Sequence, residues 1–169
     1  MDVSIAKTTE QDAKHFEVWL NDPEITKWLS SIYRYNKYDA LFHRFALRKN
    51  DNIFFTVKFQ ELPIGFVGVT QIDKAEKSGM VFVVLGEKKH GGRGIMSKAL
   101  NLALNKLFFE FDFHSINAWI LEDNNPSIRM VKNNNFKQIG IQRECHLVEG
   151  AFKNRILFDI LKNDFKRLA

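Results

Sequence analysis

Cysteine is nearly missing from this chain. The single Cys145 excludes an internal disulfide and any zinc site built from several thiolates. It reads as a buried small side chain rather than a nucleophile. Long apolar runs are also missing; the longest fall well short of what a bilayer span needs. The opening "MDVSIAKTTEQD" has no basic start followed by an apolar stretch, so no signal peptide is expected. A cytoplasmic protein is the expectation. Internal repeats, linkers and low-complexity tracts are absent, so residues 1–169 read as one domain. Phenylalanine, in contrast, is plentiful, with 16 copies, and it promises a core filled by aromatic rings. Lys and Arg number 25 against 20 Asp and Glu, a net charge of +5, which favours an anionic ligand or surface.

The hydrophobic period changes along the chain. "VSIAKT" alternates like a strand, and "EQDAKHFEVWL" puts Phe16, Trp19 and Leu20 on one helical face. Thr8 or Thr9 is placed to cap it, and "NDP" ends it, with Pro23 opening another turn. A second helix is expected over "KYDALFHRFALRK". "NIFFTVKF" and "IGFVGVTQI" read as a hairpin, and "GMVFVVL" as a strand covered on both faces. "IMSKALNLALNKLFFEF" is the clearest helix, with Ile95, Ala99, Leu102, Ala103 and Lys106 along one side. "HSINAWIL" is strand-like. In "NNPSIRMVKNNNF", Asn125 before Pro126 reads as an N-cap. Strands around "KQIGIQRECHLV" and "NRILFDIL" close the chain. The strand–helix–strand crossover from Met80 to Leu121 requires a parallel pair; the other connections allow antiparallel pairing. The expected fold is mixed α/β (α+β), a mostly antiparallel sheet of about seven strands with helices on both faces.

"KKHGGRGIMSKAL" lies between a buried strand and the strong helix. First-turn N–H groups of a helix are unpaired and face a favourable dipole, so this is an anion site. Glycine lets backbone approach the anion closely. Lys88, Lys89, His90 and Arg93 surround Gly91, Gly92 and Gly94 with positive charge. The plain alternative is a loop of solvated lysines; three glycines in this position favour phosphate. The spacing does not supply a Walker loop, and Ser97 breaks a dinucleotide fingerprint.

"KHGGRG" resembles the Gln/Arg-x-x-Gly-x-Gly/Ala loop of the GNAT N-acetyltransferases. The order of elements is similar to that fold over essentially the whole chain, including its one parallel, splayed strand pair. "NNPSIRMVKNNNF" resembles the family's Asn-x-x-Ser followed by Gly-Phe, with Asn124, Ser127, Asn135 and Phe136 in the matching places. "WLNDPEI" and "RECHLVEGAFKNRILFDIL" resemble the branch that holds ribosomal-protein N-terminal acetyltransferases; spermidine and amino-sugar acetyltransferases lie near it. Four positions depart from the pattern. Lys89 replaces Gln or Arg, Asn135 replaces glycine, Val131 takes the place of the usual acid tyrosine, and Val81 falls near the usual fourth-strand carboxylate.

The resemblance implies acetyl-CoA as co-substrate and no metal. Lys89, His90, Gly91, Gly92, Arg93, Gly94 and Ile95 would hold its pyrophosphate, and backbone near Val84 and Leu85 its pantetheine arm. Asn124 and Ser127 would reach the thiol end, or simply cap a helix. Glu122 is the candidate for moving the amine's proton, through water, with a solvated loop carboxylate as its plain alternative; His146 is a second candidate. Glu24, Trp28 and Tyr33 are candidates for the acceptor pocket. The reaction implied is acetyl transfer to a primary amine on a protein N-terminus, an amino-sugar nucleotide or a polyamine, by direct attack. Expected partners are that small-molecule or peptide amine, with no nucleic acid and no membrane; a homodimer is open. Two other readings stay in play: a non-catalytic CoA-binding regulator on the same fold, and a basic RNA-binding domain in which aromatics of "PIGFVGV" stack on bases.

Overall fold

The computed structural model describes residues 2–39 and 51–167. Its elements run β1 (Val3–Lys7), α1 (Ala13–Leu20), α2 (Pro23–Thr26), α3 (Ser31–Tyr35), β2 (Ile53–Phe59), β3 (Leu62–Asp73) and β4 (Ser78–Leu85). Then come α4 (Ile95–Phe109), β5 (Ser115–Leu121), α5 (Asn125–Asn133), β6 (Lys137–Val148) and β7 (Ala151–Leu161). The seven strands form one sheet in the order β1-β2-β3-β4-β5-β7-β6. Every neighbouring pair is antiparallel except β4–β5. The helix expected over "KYDALFHRFALRK" falls mainly on residues 40–50, outside the described residues.

The alternation of β4 is what layers the molecule. Val81, Val83 and Leu85 pack into a cluster with α4, while Phe82 and Val84 join Phe16, Trp19, Leu20 and Phe66 under α1–α3. Both faces of the strand are covered, as its continuous apolar run requires. Helix α4 buries Ile95, Ala99, Leu100, Ala103, Leu104, Leu107 and Phe108. The stripe expected through Leu102 and Lys106 is therefore out of phase: the buried ridge follows i, i+4 steps in two adjacent rows. Each fully buried Leu or Phe on that ridge contributes about 1.5–3 kcal/mol.

Local capping follows the residue chemistry. Thr9 precedes a short 3₁₀ turn, and Asp12 Oδ2 accepts its N–H at 2.7 Å before α1 begins. The N-cap of α5 is Asn124, one residue earlier than expected, because its Oδ1 accepts the Ser127 N–H at 3.3 Å. Asn135 has φ 65°, the left-handed conformation that glycine holds in the resembled motif. Its N–H reaches the Lys132 carbonyl and the Phe136 N–H reaches that of Val131, the Schellman pattern. Asn tolerates the position, so the turn survives the substitution. No helix among the described residues is long and apolar enough to cross a membrane.

Candidate active site

The parallel pair is zipped for only three residues. Ser78, Gly79 and Met80 pair with Ser115, Ile116 and Asn117, and the strands then part. From Val81 onward, alternate backbone N–H and C=O groups of β4 face the opening rather than β3. A cleft of about 450 Å³ fills this fork. On the α4–α5 side its walls are Leu100, Asn124, Ser127, Met130 and Val131. On the α2–α3 side they are Trp28, Leu29, Ser30, Ile32 and Tyr33, with Asp51, Asn52, Thr70 and Gln71 at the strand ends. Gln71 has φ 51° where the β3–β4 register shifts. Such a bulge re-aims side chains.

Beyond Leu85 the glycine segment leads into α4. Gly92 and Gly94 both have φ 72°, left-handed, and a Cβ built on either meets nothing within 4 Å. Glycine is thus demanded by backbone conformation, and the space beside it is open to a ligand. Gly91 is different, with φ −60°, and the Lys88 carbonyl 3.2 Å from a built Cβ. Gly94 is the N-cap of α4, so the first-turn N–H groups face the loop. The cations are not equivalent. Lys88 pairs with Asp22 at 2.7 Å, and this pairing holds the Asp22 carboxyl below its usual pKa. Arg93 lies over the Phe59 ring at 5.0 Å and within 3.4 Å of His90 Nδ1. Lys89 is exposed on the loop. The residues present fit a diphosphate: a glycine cradle, a helix N-terminus and surrounding positive charge. Val84 and Leu85 sit just before this loop, opposite Phe66 and Gly65 of β3.

The structure brings together the loop residues, and it places Asn124, Ser127, Trp28 and Tyr33 on the cleft walls. Glu24 is not among those walls; it is an exposed side chain paired with Lys27 at 2.7 Å. Glu122 is engaged on the far side of β5. Its two oxygens accept the Asn154 backbone N–H and Nδ2, each at 2.9 Å, while Asn154 Oδ1 takes the Glu144 N–H at the β6 bulge. That carboxylate braces three strands. Cys145 is half-buried at the same bulge, not fully buried, with Sγ 3.3 Å from the Gln142 carbonyl.

His146 is 1% exposed. Its Nδ1 accepts from Arg155 Nη2 at 2.9 Å and Nε at 3.2 Å, which puts the ring proton on Nε2. Burial, then Arg34 and Arg155 nearby, push its pKa down to about 4. Arg155 also stacks on the Trp119 ring at 3.9 Å. Burial pushes the Tyr33 phenol up to about 12. Sequence reasoning missed Asp51, Trp119, Thr70 and Gln71. Only Trp119 carried a signal: Ile116, Ala118 and Ile120 alternate with it toward the core. The RNA reading fails on Phe66 of "PIGFVGV", which is 0% exposed and cannot stack on a base.

A splayed parallel pair ending in a glycine cradle at a helix N-terminus defines a CoA-dependent acyltransferase. The sequence profile of the acetyltransferase (GNAT) domain matches residues 3–137, and the chain belongs to that family. It is 23% identical to the uncharacterized N-acetyltransferase p20 of Bacillus licheniformis, over 96% of this chain and 94% of the relative. The probable N-acetyltransferase YjcK of Bacillus subtilis is 29% identical over 60% of this chain and 56% of the relative. The crystal structure of spermidine N-acetyltransferase from Vibrio cholerae, in complex with CoA and spermine, superposes with a TM-score of 0.87. That likeness covers 96% of this chain and 97% of the other at 18% identity, and it shows the fold. The protein is an acetyl-CoA-dependent N-acetyltransferase.

Proposed function

We propose that the chain transfers acetyl to a primary amine by direct attack while both substrates occupy the fork. The observation that carries this reading is the parting of β4 from β5 after Met80, next to the glycine cradle. The loop from Lys89 to Ile95 holds the pyrophosphate. Alternate backbone groups of β4 hold the pantetheine arm. A β4 N–H beside the cleft stabilises the oxyanion. The neutral amine nitrogen bonds to the acetyl carbon, the carbon–sulfur bond breaks, and the thiolate leaves. The nitrogen gives up one proton, and the sulfur takes one. Val131 carries no proton at the position of the usual acid, so water or the Ser127 hydroxyl serves the thiolate. Asn124 spends its Oδ1 on the helix cap and contributes by positioning Ser127.

Likeness to ribosomal-protein N-terminal acetyltransferases rests on the end segments of the sequence. Likeness to the Vibrio cholerae spermidine enzyme rests on fold. Neither decides the acceptor. The test is release of CoA thiol from acetyl-CoA with a panel of amines, beside calorimetry of CoA binding. Thiol release that depends on an amine and rises with pH as the amine loses its proton supports the mechanism. A bell-shaped profile whose alkaline limb belongs to the enzyme contradicts the absence of a tyrosine-like acid.

A further inference from the structure

Two observations at the acceptor end of the cleft point the same way. The first is charge. Among the described residues lining the cleft, Asp51 alone carries a formal charge at neutral pH; Tyr33 keeps its phenolic proton. Trp28, Ile32, Phe82 and Trp119 make an apolar, aromatic wall there, with Ser30, Asn52, Thr70 and Gln71 as neutral polar groups. Behind Trp119 stands positive charge. Arg155 lies against its ring, and Arg34 donates to the Leu147 carbonyl of the same β6 segment. A polycation entering here would find one carboxylate and a cationic layer behind the wall. An amine with one charge and an apolar body would find a partner for each part.

The second is the lack of a base among the described residues. Glu122 accepts from Asn154 through both oxygens and is not on the described cleft walls. His146 has its lone pair committed to Arg155 and is off the cleft wall. Val81 and Val131, both on the cleft wall, carry no titratable group. With no base on the described walls, the acceptor's proton passes to water, and an amine that gives it up readily is favoured. An α-amine, with a pKa of about 8, is roughly one-quarter neutral at pH 7.5; an alkyl amine, at about 10.4, is neutral in roughly one molecule per thousand. A weakly basic amine thus offers about two-hundredfold more of the reactive neutral species before any contact is counted.

We propose that the acceptor is a weakly basic, singly charged primary amine flanked by an apolar group, the chemistry of an amino-acid amide or peptide whose first side chain is apolar, with Asp51 pairing its ammonium. This rests on the acetyl-transfer reading above and names its acceptor class. The amine docks as the ammonium against Asp51, loses its proton to water, and attacks as the neutral species.

The experiment measures CoA thiol release at pH 7.5 with saturating acetyl-CoA. Its acceptors are phenylalaninamide, phenethylamine, glycinamide and spermidine. Phenylalaninamide and phenethylamine share a ring and differ in basicity; phenylalaninamide and glycinamide share basicity and differ in the ring. The expected kcat/KM for phenylalaninamide exceeds each of the other three by about tenfold or more, with spermidine lowest, and the phenethylamine deficit shrinks as pH rises toward 9.5. Asp51→Asn, at an exposed position that leaves thermal stability unchanged, raises the phenylalaninamide KM about tenfold and leaves CoA affinity as it was. Equal or faster turnover of phenethylamine or spermidine at pH 7.5 overturns the proposal, as does an unchanged KM in Asp51→Asn. CoA binding without turnover of any of the four overturns the acceptor class alone. Absence of CoA binding by calorimetry overturns the acetyl-transfer reading beneath it.

Discussion

The two halves of the cleft are made of different material. On the function proposed above, the half that takes the acetyl donor is backbone: left-handed glycines, the N-terminus of α4 and the open edge of β4. The acceptor half is side chain: Trp28 and Tyr33 from α2–α3, Asp51 before β2, and Trp119 held from behind by Arg155 and His146. A backbone site depends on conformation and tolerates changes of side chain outside its glycines. A side-chain site depends on identities gathered from distant parts of the chain. The difference predicts which substitutions hurt, and where.

The largest effect belongs to the donor half. Gly94→Val or Gly92→Val places a branched side chain at φ 72° and fills the open space beside the cradle. CoA affinity is expected to fall by at least about a thousandfold while the fold persists, which calorimetry and circular dichroism together will read. Retained affinity in a folded variant would end the claim that backbone makes this half.

The acceptor half should reveal itself through acid. His146 is held neutral down to about pH 4, against an ordinary 6.5. Between those values the unfolded chain binds a proton that the folded chain refuses. Stability is therefore full above pH 6.5, falls as pH drops through the window, and levels off below about 4; the loss amounts to about 3 kcal/mol. Urea unfolding from pH 4 to 8 will show this slope in the parent and lose it in His146→Gln. Parallel slopes in both proteins would show that His146 is not held neutral behind Trp119.

A smaller effect separates bracing from chemistry. Glu122→Gln exchanges a carboxylate that accepts from Asn154 twice for an amide that can accept with only one end. The expected loss is about 1–2 kcal/mol of stability, with turnover within about twofold of the parent. A drop of tenfold or more in kcat at unchanged thermal stability would return Glu122 to the reaction. The smallest effect is that of Lys89→Ala. It should weaken CoA binding about threefold at low salt and not measurably at high salt, because an exposed loop charge acts through a screened field. A loss that persists at high salt would show a direct, desolvated contact and blur the line between the halves.

The same division explains what could be read from the sequence. The glycine turn and the start of α4 were legible within "KKHGGRGIMSKAL", because left-handed turns and a helix start leave contiguous marks. The order of elements and the parallel pair were equally legible, since short turns and one long crossover constrain topology; the insertion of β7 between β5 and β6 was not. Asn135 was legible as a glycine substitute because only a few residues accept its φ of 65°. The phase of α4 was misjudged by about one residue, since Leu102 and Leu100 are equally apolar and only packing distinguishes them. The acceptor half was the least legible. Asp51 follows no local motif, and Glu24 looked suitable until α2 turned it to solvent. Glu122 stands near the right strand end, yet Asn154, distant in sequence, claims both its oxygens.

One ion pair crosses between the halves. Asp22 accepts the Glu24 N–H as the cap of α2 and holds Lys88 at the threshold of the glycine loop. Were a ligand to draw Lys88 toward its own phosphates, Asp22 would be released and the turn it caps, which leads to Trp28, would be the element to respond. Binding at the two ends would then be thermodynamically linked, and linkage runs equally in both directions. Whatever factor a bound donor applies to acceptor affinity, a bound acceptor returns to the donor. Asp22→Asn keeps the cap and weakens the ion pair, so the size of that shared factor is open to measurement.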